Sequence, residues 1–155
     1  LLLSAALSSS AACRRAGVEV TGETAKRVSG APAALRSAAF DGNRLRLRGA
    51  RGETLGVQVR FTNPDRGEVS LTLPPRVATI EGFRVGYVTV AEPSTRMYGP
   101  SLGRGSYPDP LLPAGPRFRA DKHAFFDVHI DSTAAPGSYA GELRIGDKSF
   151  TAELR

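Results

Sequence analysis

Tryptophan is absent from this 155-residue chain, cysteine and methionine occur once each, and histidine occurs twice. Without an indole there is no broad ring of the kind that stacks on sugars or bases. A single thiol excludes an internal disulfide framework and a cysteine-based zinc cluster. Aromatics are sparse at 7%, and only three of the 21 basic residues are lysine. No amphipathic helical stretch of useful length follows residue 40. A G-x-S-x-G turn, an H-E-x-x-H pair, a phosphate loop and a dinucleotide fingerprint are all missing. A β/α barrel needs roughly 250 residues, so this length excludes one and suits a single domain.

What the chain does have is 41% hydrophobic residues, enough for a core, together with 17 glycines and 11 prolines. That Gly and Pro content has no repeating period, which excludes collagen and fits a turn-rich all-β protein. Period-two alternation predicts strands at Arg44–Arg48, 54–62, 69–73, 83–90, 124–130, 139–145 and 150–154. Asp41-Gly42, "NPDRG" at 63–67 and Gly146-Asp147 punctuate them as turns. Val88 and Val90 break the alternation of their strand and predict cover on both faces. Residues 91–117 hold six prolines and four glycines and read as one long loop, unable to form a helix or central strand. This pattern predicts an antiparallel β-sandwich, immunoglobulin-like or jelly-roll-like, of about seven to nine strands.

The formal charge of +6 admits anionic partners. Arg44, Arg46 and Arg48 alternate with Leu45 and Leu47, and Arg51 extends the run. Together they read first as the solvated face of a strand, with an anion-binding stripe as the alternative. No RNP-like aromatic strand, basic helix or zinc spacing accompanies them, so nucleic acid is not an expected partner. Residues 1–13, "LLLSAALSSSAAC", are apolar, small and uncharged, and too short to span a bilayer. They read as a secretory signal remnant, with Ser10, Ala11 and Ala12 before Cys13 resembling a bacterial lipoprotein processing site. Cys13 is then a lipidation site, with Arg14 and Arg15 beside anionic headgroups. Plain signal cleavage among the small residues is the rival reading, since Ser10 stands where leucine is usual. Residues 14–36 form a tether and lead-in segment that becomes the first strand or a short turn of helix, and 37–155 the sandwich, on a secreted or cell-envelope protein.

Candidate chemistry is thin. His123 and His129 share a strand face with Asp121, Asp127 and Asp131. Side chains two apart lie nearly 7 Å from one another, so this line reads first as a polar outward face; a metal site or acid–base pair is the alternative. Asp109, between Pro108 and Pro110, is presented from a stiffened backbone, with Leu111 and Leu112 as anchors. Tyr98 and Tyr107, with Arg96 and Arg104, are the residues of the long loop suited to touch a glycan or a neighbouring domain. No pair of carboxylates is singled out for glycoside hydrolysis.

"GETLGVQVRFTN" (52–63), "VGYVTVAEPS" (85–94), "YPDPLLP" (107–113) and "FFDVHIDSTAAPGSYAGELRI" (125–145), in this order, resemble one family domain. It is the amino-terminal β-sandwich of glycoside hydrolase family 123 and its relatives that carry a DUF4091 region. The resemblance implies a sandwich that packs on a downstream barrel and shapes its cleft. The family's hydrolysis of β-linked N-acetylgalactosamine uses an Asp–Glu pair in that barrel, so no catalytic residue carries over. Relatives often place a Trp where Phe125 or Phe126 stands. The expected function is therefore a non-catalytic accessory sandwich without a cofactor or metal. Its expected partners are a barrel in the same polypeptide, a possible glycan, and the membrane only through the lipid. A stand-alone carbohydrate-binding module and a fragment of a β-N-acetylgalactosaminidase-type enzyme are the alternatives.

Overall fold

The structure, a computed structural model, describes residues 18–24, 37–61, 67–92, 101 and 103–155. Ten strands form within them: β1 (Val18–Gly22), β2 (Arg44–Leu47), β3 (Thr54–Phe61), β4 (Gly67–Thr72), β5 (Ala78–Val90), β6 (Gly105–Pro113), β7 (Arg117–Ala120), β8 (His123–Ile130), β9 (Tyr139–Ile145) and β10 (Lys148–Leu154). They make two five-stranded sheets, ordered β1-β3-β8-β5-β6 (the first sheet) and β2-β10-β9-β4-β7 (the second). All pairings are antiparallel except β10 with β2. The β-sandwich expected from the alternation is therefore the fold.

Each sheet turns one set of alternate side chains inward. Val57 and Val59 of β3 and Phe126 and Val128 of β8 face Leu45, Val69, Leu71 and Leu143, and all eight are fully buried. Phe118 and Phe126 close the middle with ring centroids 5.6 Å apart, and Phe40 meets Phe150 edge-on at 5.3 Å. The two-residue connection between β9 and β10 pairs Ile145 with Lys148, and Gly146 supplies the positive φ (58°) that a tight hairpin demands.

The lead-in segment supplies a first strand, β1, as an edge of the first sheet, and two strands go beyond those read from the pattern. β7 is only four residues long. β6 holds the Pro-rich stretch expected to be loop: an edge strand needs ladder N–H groups on one side only, so proline is tolerated there. Its register against β5 slips between Val85 and Tyr87, a bulge opposite the "PDP" run. The expected two-sided cover of the 83–90 strand does not hold: β5 runs to 13 residues, and Val88 is 46% exposed.

Candidate functional site

The outer faces of the two sheets differ in chemistry. That of the second sheet is a charge lattice. Arg44, Thr151, Glu142 and Thr72 form one cross-strand row, and Ser149, Arg144, Ser70 and Arg117 another. Arg117 pairs with Glu68 at 2.6 Å, Arg155 with Glu153 at 2.6 Å and Arg46 with Asp41 at 2.6 Å. Ser149 donates to Glu142, which also receives Arg144 at 3.3 Å, and the two bonds hold the Glu142 carboxyl below its usual range. This is the solvated face that the alternating arginines predicted.

The first sheet's outer face reads quite differently, row by row. Glu19, Arg60 and His123 line up across β1, β3 and β8. Thr21, Gln58, Phe125, Phe83 and Pro113 form the next row across all five strands. Gly56, Asp127 and Glu81 follow, then Thr54, His129 and Thr79. Phe83 and Phe125 lie 6.4 Å apart, and Lys122 places its ammonium 5.6 Å from the centre of the Tyr87 ring. Gly56 leaves the space that Glu23 and Phe125 occupy: a β-carbon there would come within 2.5 Å of Glu23 Cβ and 2.8 Å of Phe125 Cζ. At the outer edge Leu111 stays 43% exposed.

The first row is buried although it points away from the core. Arg60 donates from Nε to Glu19 Oε2 at 2.7 Å and from Nη2 to the same oxygen at 2.5 Å. Glu19 and His123 are 2% and 4% exposed. Among the described residues the Nδ1 of His123 has no hydrogen-bond partner. Burial, helped by the adjacent Arg60 and opposed by Glu19, pushes the imidazole down to about 4, so at neutral pH the ring is uncharged. The trio contains no nucleophile, and its carboxylate is neutralised by arginine. Burial also lifts the Tyr87 phenol, with Arg60 acting against it, and lifts Asp127, whose neighbours Glu81 and Glu23 add repulsion.

The residues singled out in the sequence are dispersed. His123 belongs to this buried row and not to a polar outward face, a correction explained by its Arg60 and Glu19 neighbours on adjacent strands. His129 sits at the far end of β8, with Nδ1 3.0 Å from Thr54 Oγ1. Asp121 precedes the strand. Asp131 follows it and accepts from Thr133 N at 2.6 Å and from Thr133 Oγ1 at 2.5 Å, which lowers its carboxyl. Among the described residues no group of three His, Cys, Asp or Glu side chains could hold a metal ion. Tyr107 is half-buried on β6, its hydroxyl donating to the Gly103 carbonyl at 2.9 Å. Arg104 and Asp109 are exposed at the start and the bulge of that strand. Cys13, Arg96 and Tyr98 lie outside the described residues.

The sequence reading missed the aromatic face. Its signal was present: Phe125 beside Phe126, and Phe83, Val85 and Tyr87 at outward parity, are apolar where a solvated sheet would be polar.

These two sheets define a β-sandwich with one charged outer face and one whose polar rows enclose an aromatic patch on β5, β6 and β8. No family model and no curated protein matches the chain. Among solved structures it is similar to a family 123 glycoside hydrolase from Clostridium perfringens, with a TM-score of 0.54 and 14% identity. The match covers 89% of this chain and 27% of that one, so the chain spans about a quarter of the neighbour's length. At that identity the likeness is one of fold.

Proposed function

We propose that this domain is a non-catalytic accessory sandwich of a glycoside-hydrolase-like protein, secreted or held at the cell envelope by lipid on Cys13. The first sheet's outer face lies against a barrel in the same polypeptide and shapes the rim of its cleft. The observation that carries this reading is the asymmetry of the two faces. Phe83, Val85, Tyr87, Phe125 and Leu111 gather across β5, β6 and β8 on one, beside the polar rows of that sheet. The other is laced with ion pairs and shows no such cluster among the described residues. A contiguous apolar patch on one side marks an interaction surface. The fold likeness to a quarter of a family 123 hydrolase is consistent with a domain that has a larger companion.

The coding sequence around this chain tests the companion directly: a barrel domain following the sandwich is expected, and its absence would overturn the reading. Lipidation is tested by expressing the precursor in a bacterial host with radiolabelled palmitate. Label is expected on the wild type and not on Cys13→Ser; an unlabelled wild type leaves plain secretion. A stand-alone glycan-binding role would require glycan-array binding by the isolated sandwich, which this proposal does not expect.

A further inference from the structure

One end of the sandwich opens between the sheets into a pocket of about 300 Å³. Its walls come from both layers: Ile130 ends β8, Tyr139 opens β9 and Leu154 ends β10, with Val77 and Ala134 beside them. The loop from Asp131 to Tyr139 forms one lip and is rigid by construction. Asp131 caps its first turn through Thr133, and the Tyr139 hydroxyl donates to the Ala135 carbonyl at 2.5 Å. Tyr139 therefore presents its ring rather than a free donor to the cavity. The opposite lip is the turn at Gly49–Arg51, held by the Glu53 carboxylate accepting from Ala50 N at 2.7 Å.

Around this mouth stand three carboxylates, Glu53, Asp131 and Glu153, and three guanidinium groups, Arg48, Arg51 and Arg155. Each carboxylate here is already engaged: Glu53 by the turn, Asp131 by Thr133, and Glu153 by Arg155 and by Ser138 at 2.9 Å. Arg51 lines the pocket and makes no hydrogen bond or ion pair among the described residues, and Arg155, paired with Glu153, stands across the mouth. Arg48 lines the adjoining small recess with Arg155. An apolar cavity at the lower end of ligand-pocket volumes, with the Arg51 guanidinium at its rim, complements a molecule that is apolar at one end and anionic at the other. The planar fork of arginine matches a carboxylate in particular.

We propose that this pocket binds a small carboxylate bearing a compact apolar group. The apolar body seats between Ile130 and Tyr139, and the carboxylate is held at the rim by Arg51. The site is separate from the first sheet's outer face.

Titration of the isotopically labelled chain by two-dimensional NMR tests it, with phenylacetate as probe and phenylacetamide and acetate as controls. Saturable shifts are expected at Gly49–Arg51 and Ala134–Tyr139 with phenylacetate. Binding should be about tenfold weaker for the uncharged amide and for acetate, the order set by one charge-assisted bond or one small apolar group. Arg51→Gln should lose that tenfold for phenylacetate and leave phenylacetamide unchanged. Ala135→Leu, at an exposed lip position, should crowd out both probes. Because both substitutions are at exposed positions, an unaltered spectrum elsewhere shows that the fold is intact. Shifts that do not saturate, that are equal for all three probes, or that lie away from these two lips would overturn the proposal.

Discussion

His123 shows how a single residue can be misjudged from spacing alone. Parity correctly put it on the outward side of its strand, but outward in this sheet does not mean solvated. The cross-strand partners Glu19 and Arg60, 104 and 63 positions upstream, close over it, and no local pattern reveals such distant neighbours. The consequence is a pH dependence with a definite sign. The folded imidazole titrates near 4 against an ordinary 6.5, so the unfolded chain takes up the proton first as pH falls. Stability from this group is complete above pH 6.5 and is lost progressively down to about pH 4, some 3 kcal/mol in all. Urea unfolding at pH 7 and pH 4.5 should show most of that loss in the wild type and little of it in His123→Gln; equal losses would remove His123 from the account. The lowered carboxyls of Glu142 and Glu153 begin to lose their contribution as pH approaches their ordinary 4.5, and those of Asp41 and Asp131 as it approaches 3.8. This part is common to the wild type and His123→Gln, so the difference between them isolates the histidine. Tyr139→Phe removes the bond to Ala135 and should cost about 1 kcal/mol by the same measurement.

At the level of elements, alternation was a reliable guide wherever one face met the core. The strands at β2, β3, β4, β8, β9 and β10 could be read from Leu45 and Leu47, Val57 and Val59, Val69 and Leu71, and their counterparts. β6 was not legible because its prolines mimic a loop; only the pairing with β5 reveals that they occupy an edge. That edge has a purpose at this scale, since an unpaired strand invites addition of another chain, and prolines deny it the N–H groups required. Replacing Pro108, Pro110 and Pro113 together by threonine should leave the sandwich folded and promote self-association, read as dimers or larger species in sedimentation velocity. A variant that stays as monodisperse as the wild type would show that the prolines serve only the bulge. The core responds differently: Leu143→Ala, at a fully buried position of β9, should cost about 2–5 kcal/mol in unfolding.

At the scale of the whole molecule, the described residues form a sandwich with a charged side, a side bearing an aromatic patch, and an end that opens into a pocket. The first two follow from the sequence once the strands are placed, because Arg44, Glu142 and Arg144 fall at outward parity in one sheet, and Phe83, Tyr87 and Phe125 in the other. The open end was not foreseen: it depends on how far apart β8, β9 and β10 finish, which three-dimensional packing decides. The central claim is that the face bearing the aromatic patch meets a companion barrel, and hydroxyl-radical footprinting tests it most directly. The sandwich alone is compared with the polypeptide in which the barrel follows it, and the rates at Phe83, Tyr87, Leu111 and Phe125 are read against Phe150 and Tyr139 as internal references. The account predicts several-fold protection of the first four when the barrel is attached, with the two references unchanged. Equal reactivity of Phe83, Tyr87, Leu111 and Phe125 in both forms would contradict it.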